Sequence, residues 1–126
     1  MKNLLTVFTL LFLFACQTNT TSTTESEQIS LRLDNAAFAE KLKAMPTAKL
    51  IDIRTPEEFQ AGAIEGFVNM DFYADDFEAQ LQNLNKEQAT FIYCRSGGRS
   101  GKTLKKMRGM GFQEVYELQS GYSGWK

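Results

Sequence analysis

The stretch from Thr90 to Ser100, TFIYCRSGGRS, decides the fold and carries the strongest chemical signal in the chain. Its first four residues form a short, mostly apolar run, which is typical of a parallel strand buried on both faces. Cys94 follows directly and precedes a Gly-Gly pair. Because sites in parallel sheets lie at the carboxyl ends of the strands, this order predicts a strand that delivers Cys94 into a glycine-rich site loop.

Strand and helix signals alternate on both sides of this stretch, which predicts a parallel sheet covered by helices on both faces. The strands are predicted at Ile29 to Leu33 (a half-buried edge strand), Lys49 to Ile53, Phe67 to Met70, Thr90 to Tyr93 and Phe112 to Leu118. The helices are predicted after the caps Asp34 and Thr55, around Phe77, Leu81 and Leu84, and from near Arg99 to Met110, with Gly111 at its C-terminal cap.

Length and composition exclude several classes of protein. The 126 residues suit one compact domain, and 43% hydrophobic residues are enough for a core. A net charge of −1 argues against a nucleic-acid binder. The chain has no histidine, which removes histidine general bases and histidine metal sites, and its 2 cysteines cannot form a four-thiolate zinc site. We therefore expect no metal and no cofactor, and chemistry that depends on a lone thiol, carboxylates or hydroxyls.

The N-terminal residues predict export and attachment to a membrane. Residues 1–15 combine Lys2 with an apolar run from Leu4 to Phe14, which is too short to span a bilayer and indicates a signal peptide. Leu13 to Cys16, LFAC, resembles the lipobox of bacterial lipoproteins, which implies a lipid on Cys16. Residues 16–28 are predicted to be a disordered Thr/Ser-rich tether and residues 29–126 the folded domain. We expect a lipid-anchored protein of the bacterial cell envelope that faces the periplasm or the outside.

The loop after Cys94 is suited to stabilise an anion at the sulfur. Gly97 and Gly98 allow unusual backbone conformations, so that several N–H groups can converge on one point. The following helix adds its N-terminal dipole, and Arg95 and Arg99 add full charges. These features predict a lowered pKa and a thiolate that needs no general base. A cysteine at a strand end is otherwise a small buried hydrophobe, but that interpretation leaves the glycine pair and the basic cluster unexplained.

Three motifs together resemble single-domain rhodanese-type sulfurtransferases. The first is the loop Cys94-Arg95-Ser96-Gly97-Gly98-Arg99-Ser100, which is similar to the family's active-site loop. The second is Leu50 to Phe59, LIDIRTPEEF, with its Asp-x-Arg pair. The third is Leu118 to Lys126, LQSGYSGWK, which resembles the C-terminal signature. The resemblance implies a rhodanese-like three-layer α/β/α fold whose central parallel sheet has about five strands.

The resemblance also implies a reaction and its residues. Cys94 would take a sulfur atom from a small anionic donor such as thiosulfate and pass it, as a persulfide, to a thiol or cyanide acceptor. The N–H groups from Arg95 to Ser100 would hold the persulfide, and Arg95 and Arg99 would attract the donor. Ser100 is expected to cap the helix rather than to bind the sulfur. Asp52 and Arg54 are expected to form an ion pair beside the loop and hydrogen bonds to it. Trp125 is expected to be a core or lid aromatic. We expect a monomer.

Two other functions compete with this one. Cysteine phosphatases place an arginine after five intervening residues, whereas here Arg99 follows after four and Ser100 stands at the longer spacing. The shorter loop favours the smaller sulfur group. The second alternative is a membrane-tethered persulfide carrier or a non-catalytic rhodanese-like binding domain, and the intact Cys94 argues against pure binding.

Overall fold

The computed structural model describes residues 26–126, which form one five-stranded, all-parallel sheet between helices. The strand order is β1-β5-β4-β2-β3, so the predicted fold class is confirmed. The strands are β1 Ile29–Leu33, β2 Lys49–Asp52, β3 Val68–Asn69, β4 Thr90–Tyr93 and β5 Glu114–Leu118. The helices are α1 Asn35–Ala44, α2 Pro56–Gln60, α3 Phe77–Gln82, α4 Gly98–Gly109 and α5 Gly121–Gly124.

Alternation along the central strands divides the core into two faces. In β4, Phe91 and Tyr93 pack with Phe38 of α1 on one face. Ile92 and Cys94 pack with Leu81 of α3 and with residues of α4 on the other. Successive side chains of a strand point to opposite faces, and both faces here are covered, which explains why TFIY is bulky throughout. The same alternation places Cys94 on the α4 side of the sheet.

Local signals fix the start and end of several helices. The Asp34 side chain accepts the N–H of Ala37 at 2.9 Å and caps α1. Thr55 and Glu58 form a reciprocal capping box around the start of α2. Gly111 follows Met110, the C-cap of α4, and has φ of +91°, a helix-ending conformation that glycine adopts without strain. These signals depend on neighbours in sequence, which is why they could be identified there.

Some predicted boundaries differ from the structure. The strand predicted at Phe67 to Met70 shortens to Val68–Asn69, and the last strand begins at Glu114 rather than at Phe112. The helix after the cysteine loop begins at Gly98, and the short helix α5 was not predicted. The edge strand is less buried than its alternation indicates, since Ile29 and Leu31 are 39% and 46% exposed.

The predicted N-terminal features fall mostly on residues 1–25, outside the described part of the chain. These are the signal peptide, the lipidation site Cys16 and most of the tether. The end of the predicted tether does not fit a free segment, because Gln28 donates to the backbone oxygens of Arg108 and Phe112 at 3.1 and 2.9 Å. Within residues 26–126, no helix has the length and apolar character to cross a membrane.

Candidate active site

Cys94 lies at the carboxyl end of the central strand β4, where the sequence places it. The residue is 1% exposed and packs with Ile92, Leu104 and Val115. Burial in such surroundings favours a neutral thiol over a thiolate, because a charge loses hydration there. The site must therefore supply strong hydrogen bonds if the sulfur is to ionise.

The loop brings backbone donors to the sulfur through one unusual residue, Gly97. Gly97 has φ of +94°, and its N–H donates to the Cys94 Sγ at 3.1 Å. A Cβ atom at this position would collide with the carbonyl oxygen of Gln119. Gly98 has an ordinary φ and open space around it. Of the glycine pair, only Gly97 is therefore required by the geometry, contrary to the expectation that both supply the turn.

Helix α5 holds the outer side of the loop. Its Tyr122 N–H donates to the carbonyl oxygen of Cys94 at 2.8 Å, and its Ser123 N–H donates to that of Arg95 at 2.9 Å. These bonds turn the loop carbonyls outward and leave the following N–H groups to face the sulfur. Gly121, with φ of +63°, lies so close to the loop that a Cβ atom there would collide with the Arg95 backbone. The C-terminal motif thus shapes the cysteine loop.

Ser100 does not cap α4, contrary to expectation. The helix begins at Gly98 with Gly97 at its N-cap, so Ser100 lies inside the first turn. Its hydroxyl is fully buried, 3.2 Å from the Cys94 Sγ and 2.5 Å from Oε1 of Glu117. Glu117 is a buried carboxylate in β5 that sequence reasoning missed. The available signal was a charged residue in the middle of a strand predicted to be buried on both faces.

Hydrogen bonds to Cys94 are the main influence that lowers its pKa. Burial raises the pKa of Cys94, whereas bonds from the Ser100 hydroxyl and from the backbone N–H groups of Ser100, Ser96 and Gly97 lower it. The resulting pKa of Cys94 lies below the ordinary value of a thiol. The lowered pKa agrees with the sequence prediction, but its main source is the fixed peptide dipoles and one hydroxyl.

Arg99 is not free to attract a donor as predicted. Its guanidinium forms a bidentate pair with Glu58, at 2.8 and 2.9 Å. The hydrogen bond from Arg99 and, to a smaller extent, that from Thr55 outweigh burial and lower the pKa of Glu58 to about 2. Arg95 differs, because it is exposed and has no carboxylate partner among residues 26–126. Arg95 is therefore the loop cation that remains available.

Asp52 and Arg54 form the predicted ion pair, at 2.7 Å, in a buried position. Arg54 also donates to the Gly62 carbonyl oxygen at 2.6 Å, and the Tyr93 hydroxyl donates to Asp52 at 2.6 Å. None of the bonds found for this pair goes to residues 95–100, so the expected bonds to the cysteine loop are absent from the described structure. Burial and the bond to Asp52 raise the pKa of Tyr93. The cluster ties β2, β4 and the Gly62 turn together.

A cavity of about 210 Å³ lies at this end of the sheet. Two arginines contribute to its wall, Arg54 from the end of β2 and Arg95 from the cysteine loop. The Arg54 guanidinium also lies 4.1 Å from the centre of the Tyr122 ring. Trp125 is not part of this wall; it packs against Phe38 on the α1 face, as a core aromatic. The full lining is Arg54, Glu58, Ala61, Arg95, Tyr122 and Ser123.

Comparison with known proteins assigns the family. The model of the rhodanese-like domain matches residues 35–126, which contain all three sequence motifs. The chain belongs to the rhodanese-like domain family. Within this rhodanese-like domain, the matched region includes the cysteine loop, the Asp52–Arg54 pair and helix α5.

Individual relatives agree with this family. YqhL of Bacillus subtilis is 31% identical over 78 residues, which cover 62% of this chain and 60% of YqhL. GlpE of Pseudomonas putida, named a thiosulfate sulfurtransferase, is 30% identical over 87 residues, covering 68% of this chain and 76% of GlpE. The crystal structure of a rhodanese-like domain protein from Staphylococcus aureus has a TM-score of 0.65 at 23% identity and covers 75% of this chain and 90% of that protein. That structure has the same fold.

Gly121→Ala is expected to disturb the site through the loop. The new methyl group would push the Arg95 backbone outward, and the strained φ would cost a further ~1–2 kcal/mol. We expect lower stability in urea unfolding and slower alkylation of Cys94, followed by peptide mass. Gly111→Ala is the matched control, since Gly111 also has a positive φ but has open space around it. The control should lose stability only; equal alkylation rates in all three proteins would contradict the role of Gly121.

Glu58→Gln is expected to remove part of the acid sensitivity of the fold. The pKa of Glu58 is about 2 in the folded state against 4.5 for the free group. Its stabilisation is therefore present above about pH 4.5 and is lost as the pH falls towards 2, by at most about 3 kcal/mol. Urea unfolding at several pH values should show that the free energy of unfolding falls less steeply towards acid pH in the variant than in the wild type. Glu78→Gln removes an exposed carboxylate paired with Lys106 and should keep the wild-type slope.

Proposed function

We propose that this protein is a thiosulfate sulfurtransferase of the rhodanese type, which moves a sulfane sulfur from an anionic donor to a thiophilic acceptor through a persulfide on Cys94. The observation that carries the proposal is the backbone N–H of Gly97, which the loop fixes at 3.1 Å from the Cys94 Sγ, with the Ser100 hydroxyl 3.2 Å from the same sulfur. Donors that are already oriented stabilise developing negative charge without reorganisation. The name of the relative GlpE agrees with this chemistry.

The reaction needs no external redox partner. The lone pair of the Cys94 thiolate attacks the outer sulfur of thiosulfate and forms a new S–S bond. The old S–S bond breaks, and its electron pair leaves with sulfite. The persulfide then carries one negative charge, as the thiolate did. In the second step an acceptor thiolate or cyanide takes the outer sulfur and returns Cys94 to the thiolate. This step also needs no histidine, in keeping with a chain that has none.

The charges around the loop suit a small anionic donor. Arg95 is exposed and unpaired among the described residues, and it lines the cavity together with Arg54. Arg99 is neutralised by Glu58 and contributes shape rather than free charge. The donor-attracting role that sequence analysis gave to two arginines therefore passes to Arg95.

Phosphatase chemistry fits the loop less well. The position that the longer phosphatase spacing requires holds Ser100, whose hydroxyl is turned toward the sulfur and Glu117. Arg99, one residue earlier, is occupied by Glu58. A phosphate dianion would thus lack the free guanidinium that this chemistry uses.

A persulfide carrier is the second candidate, and the burial of the sulfur favours it. Because Cys94 is only 1% exposed, a free acceptor meets little of its surface, whereas a protein partner that opens the loop would reach it. Turnover separates the two functions. An enzyme releases sulfur repeatedly to cyanide or to small thiols, whereas a carrier keeps the persulfide until a protein partner binds.

The N-terminal motif leads to a proposal about location. A lipid on Cys16 would attach the domain to a membrane of the bacterial cell envelope, facing the periplasm or the outside. Residues 17–25 contain no apolar side chain and would act as the spacer. Thiols tend to oxidise outside the cytoplasm. The burial of Cys94 would protect its sulfur there.

Incubation with thiosulfate tests the function directly. The intact mass is expected to rise by one sulfur atom in the wild type and in Cys16→Ser, and not in Cys94→Ser. Cyanide should then remove the added mass and yield thiocyanate. The proposal is wrong if no sulfur is added, or if the protein instead turns over an aryl phosphate.

The anchor is tested by fractionation of cells that express the full chain. Cys16→Ser is expected to move the protein from the membrane to the soluble fraction, because stable attachment depends on the acyl chains. Cys94→Ser is the matched control and should stay in the membrane fraction. Continued membrane association of Cys16→Ser would show that the anchor is another part of the chain.

A further inference from the structure

A second ionisable group, Glu117, is buried next to Cys94 and has no role in the reaction described above. It lies in β5 and is fully buried. Alternation along β5 puts its side chain on the same face as Val115, which packs with Cys94. An apolar residue is usual at such a position, because burying a charge is costly unless the charge is paired. The carboxylate is therefore held by specific partners.

Two partners hold the Glu117 carboxylate. Arg32 of the neighbouring strand β1 lies beside Glu117 in the register of the sheet. Its Nε lies 2.6 Å from Oε2, and its Nη2 lies 3.2 Å from Oε1. The second partner is Ser100, which donates to Oε1 at 2.5 Å. Arg32 also donates to the carbonyl oxygen of Gly97 at 3.0 Å, so the carboxylate is connected to the loop from two directions.

The Ser100 hydroxyl has a single proton and two groups that can take it. An ionised carboxylate and a thiolate are both acceptors only. With the proton directed to Glu117, the lone pairs of the Ser100 oxygen face the Cys94 Sγ, which suits a neutral thiol that donates to them. With the proton directed to the sulfur, Glu117 loses the hydrogen bond from Ser100, which is the shortest that it accepts. The single Ser100 proton cannot form a hydrogen bond to a Cys94 thiolate and to a Glu117 carboxylate at the same time.

We propose that Glu117 is a positioning residue that acts through Ser100: it competes with Cys94 for the Ser100 proton and so disfavours a charged Sγ relative to a neutral one. The Cys94 thiol therefore loses its proton with more difficulty than it would without the Glu117 carboxylate. The backbone donors still favour the thiolate, and Glu117 limits how far they do so.

This competition has a consequence for sulfur transfer, which rests on the proposed function. In the persulfide, the inner sulfur is neutral and the charge lies on the outer sulfur. The Ser100 hydroxyl can then keep donating its hydrogen bond to Glu117, and no charged group faces the lone pairs of the Ser100 oxygen. Glu117 therefore favours the sulfur-loaded site over the free thiolate. Its removal should lower the fraction of loaded Cys94 at a fixed ratio of thiosulfate to sulfite.

The charged groups near Cys94 come from three elements. Arg32 lies on β1, Arg99 on α4 and Glu117 on β5, in addition to Arg95 of the loop itself, and a charge on Cys94 raises the pKa of Arg32 and of Arg99. Arg99 is already paired with Glu58 on the far side. Among the described residues, Glu117 is thus the carboxylate that is connected to Cys94 by one intervening hydroxyl, that of Ser100.

The test is the pH dependence of Cys94 alkylation by iodoacetamide in the full chain, followed by the mass of the Cys94 peptide. Glu117→Gln keeps the shape of the side chain but cannot be ionised, and it should lower the midpoint by at least about one pH unit. In a Ser100→Ala background the same substitution should shift the midpoint by less than half as much, because the connecting hydroxyl is gone. Glu114→Gln removes a carboxylate from the same strand and should leave the midpoint unchanged.

A second variant keeps the test decisive if Glu117→Gln does not fold. Arg32→Gln changes a side chain that is 45% exposed. Without Arg32, the Glu117 carboxylate keeps Ser100 as its remaining partner and competes more strongly for the proton of that hydroxyl, so the Cys94 midpoint should rise. An unchanged or raised midpoint in folded Glu117→Gln, an equal shift with and without Ser100, or a lowered midpoint in Arg32→Gln would overturn the proposal. If the wild type takes up no sulfur, the proposed function fails, and these midpoints still decide the role of Glu117.

Discussion

The site depends on the hydrogen bonds that the cysteine loop directs to one buried sulfur. The N–H of Gly97 reaches the Cys94 Sγ because the loop turns back over the end of β4 with a positive φ. Helix α5 keeps the loop in this shape by binding the carbonyl oxygens of Cys94 and Arg95. If either half of this arrangement were lost, burial would weigh more heavily against the remaining donors and would favour the neutral thiol.

This arrangement gives the arginines of the loop different roles. Arg99 is fixed by Glu58, and the pair connects the cysteine loop to the start of α2. Outside the loop, Arg54 of the cavity wall is fixed by Asp52. Arg95 alone among these three is left without a carboxylate within residues 26–126. The loop thus combines internal ion pairs that set its shape with one cation that a donor anion can use.

The sequence predicts the parts of this site that depend on near neighbours. The apolar run TFIY predicts the buried strand, the position of Cys94 after it predicts the site, and Thr55 to Glu58 predicts the capped helix. The rest depends on contacts between distant segments. Glu58 and Arg99 are 41 residues apart, and Ser100 and Glu117 are 17 apart. Helix α5 has only four residues and no periodicity that could be recognised. A glutamate inside a predicted buried strand was the one local sign of the pairing at Glu117.

The most direct test of the central claim is the titration of Cys94 itself. The ultraviolet absorbance of the thiolate can be followed against pH as the difference between the wild type and Cys94→Ser, with the spectrum of the variant as the baseline. The account predicts an ionisation midpoint below about 8.5, the ordinary value of a cysteine thiol. A midpoint at or above that value would mean that the fixed donors do not overcome burial, and it would contradict the account.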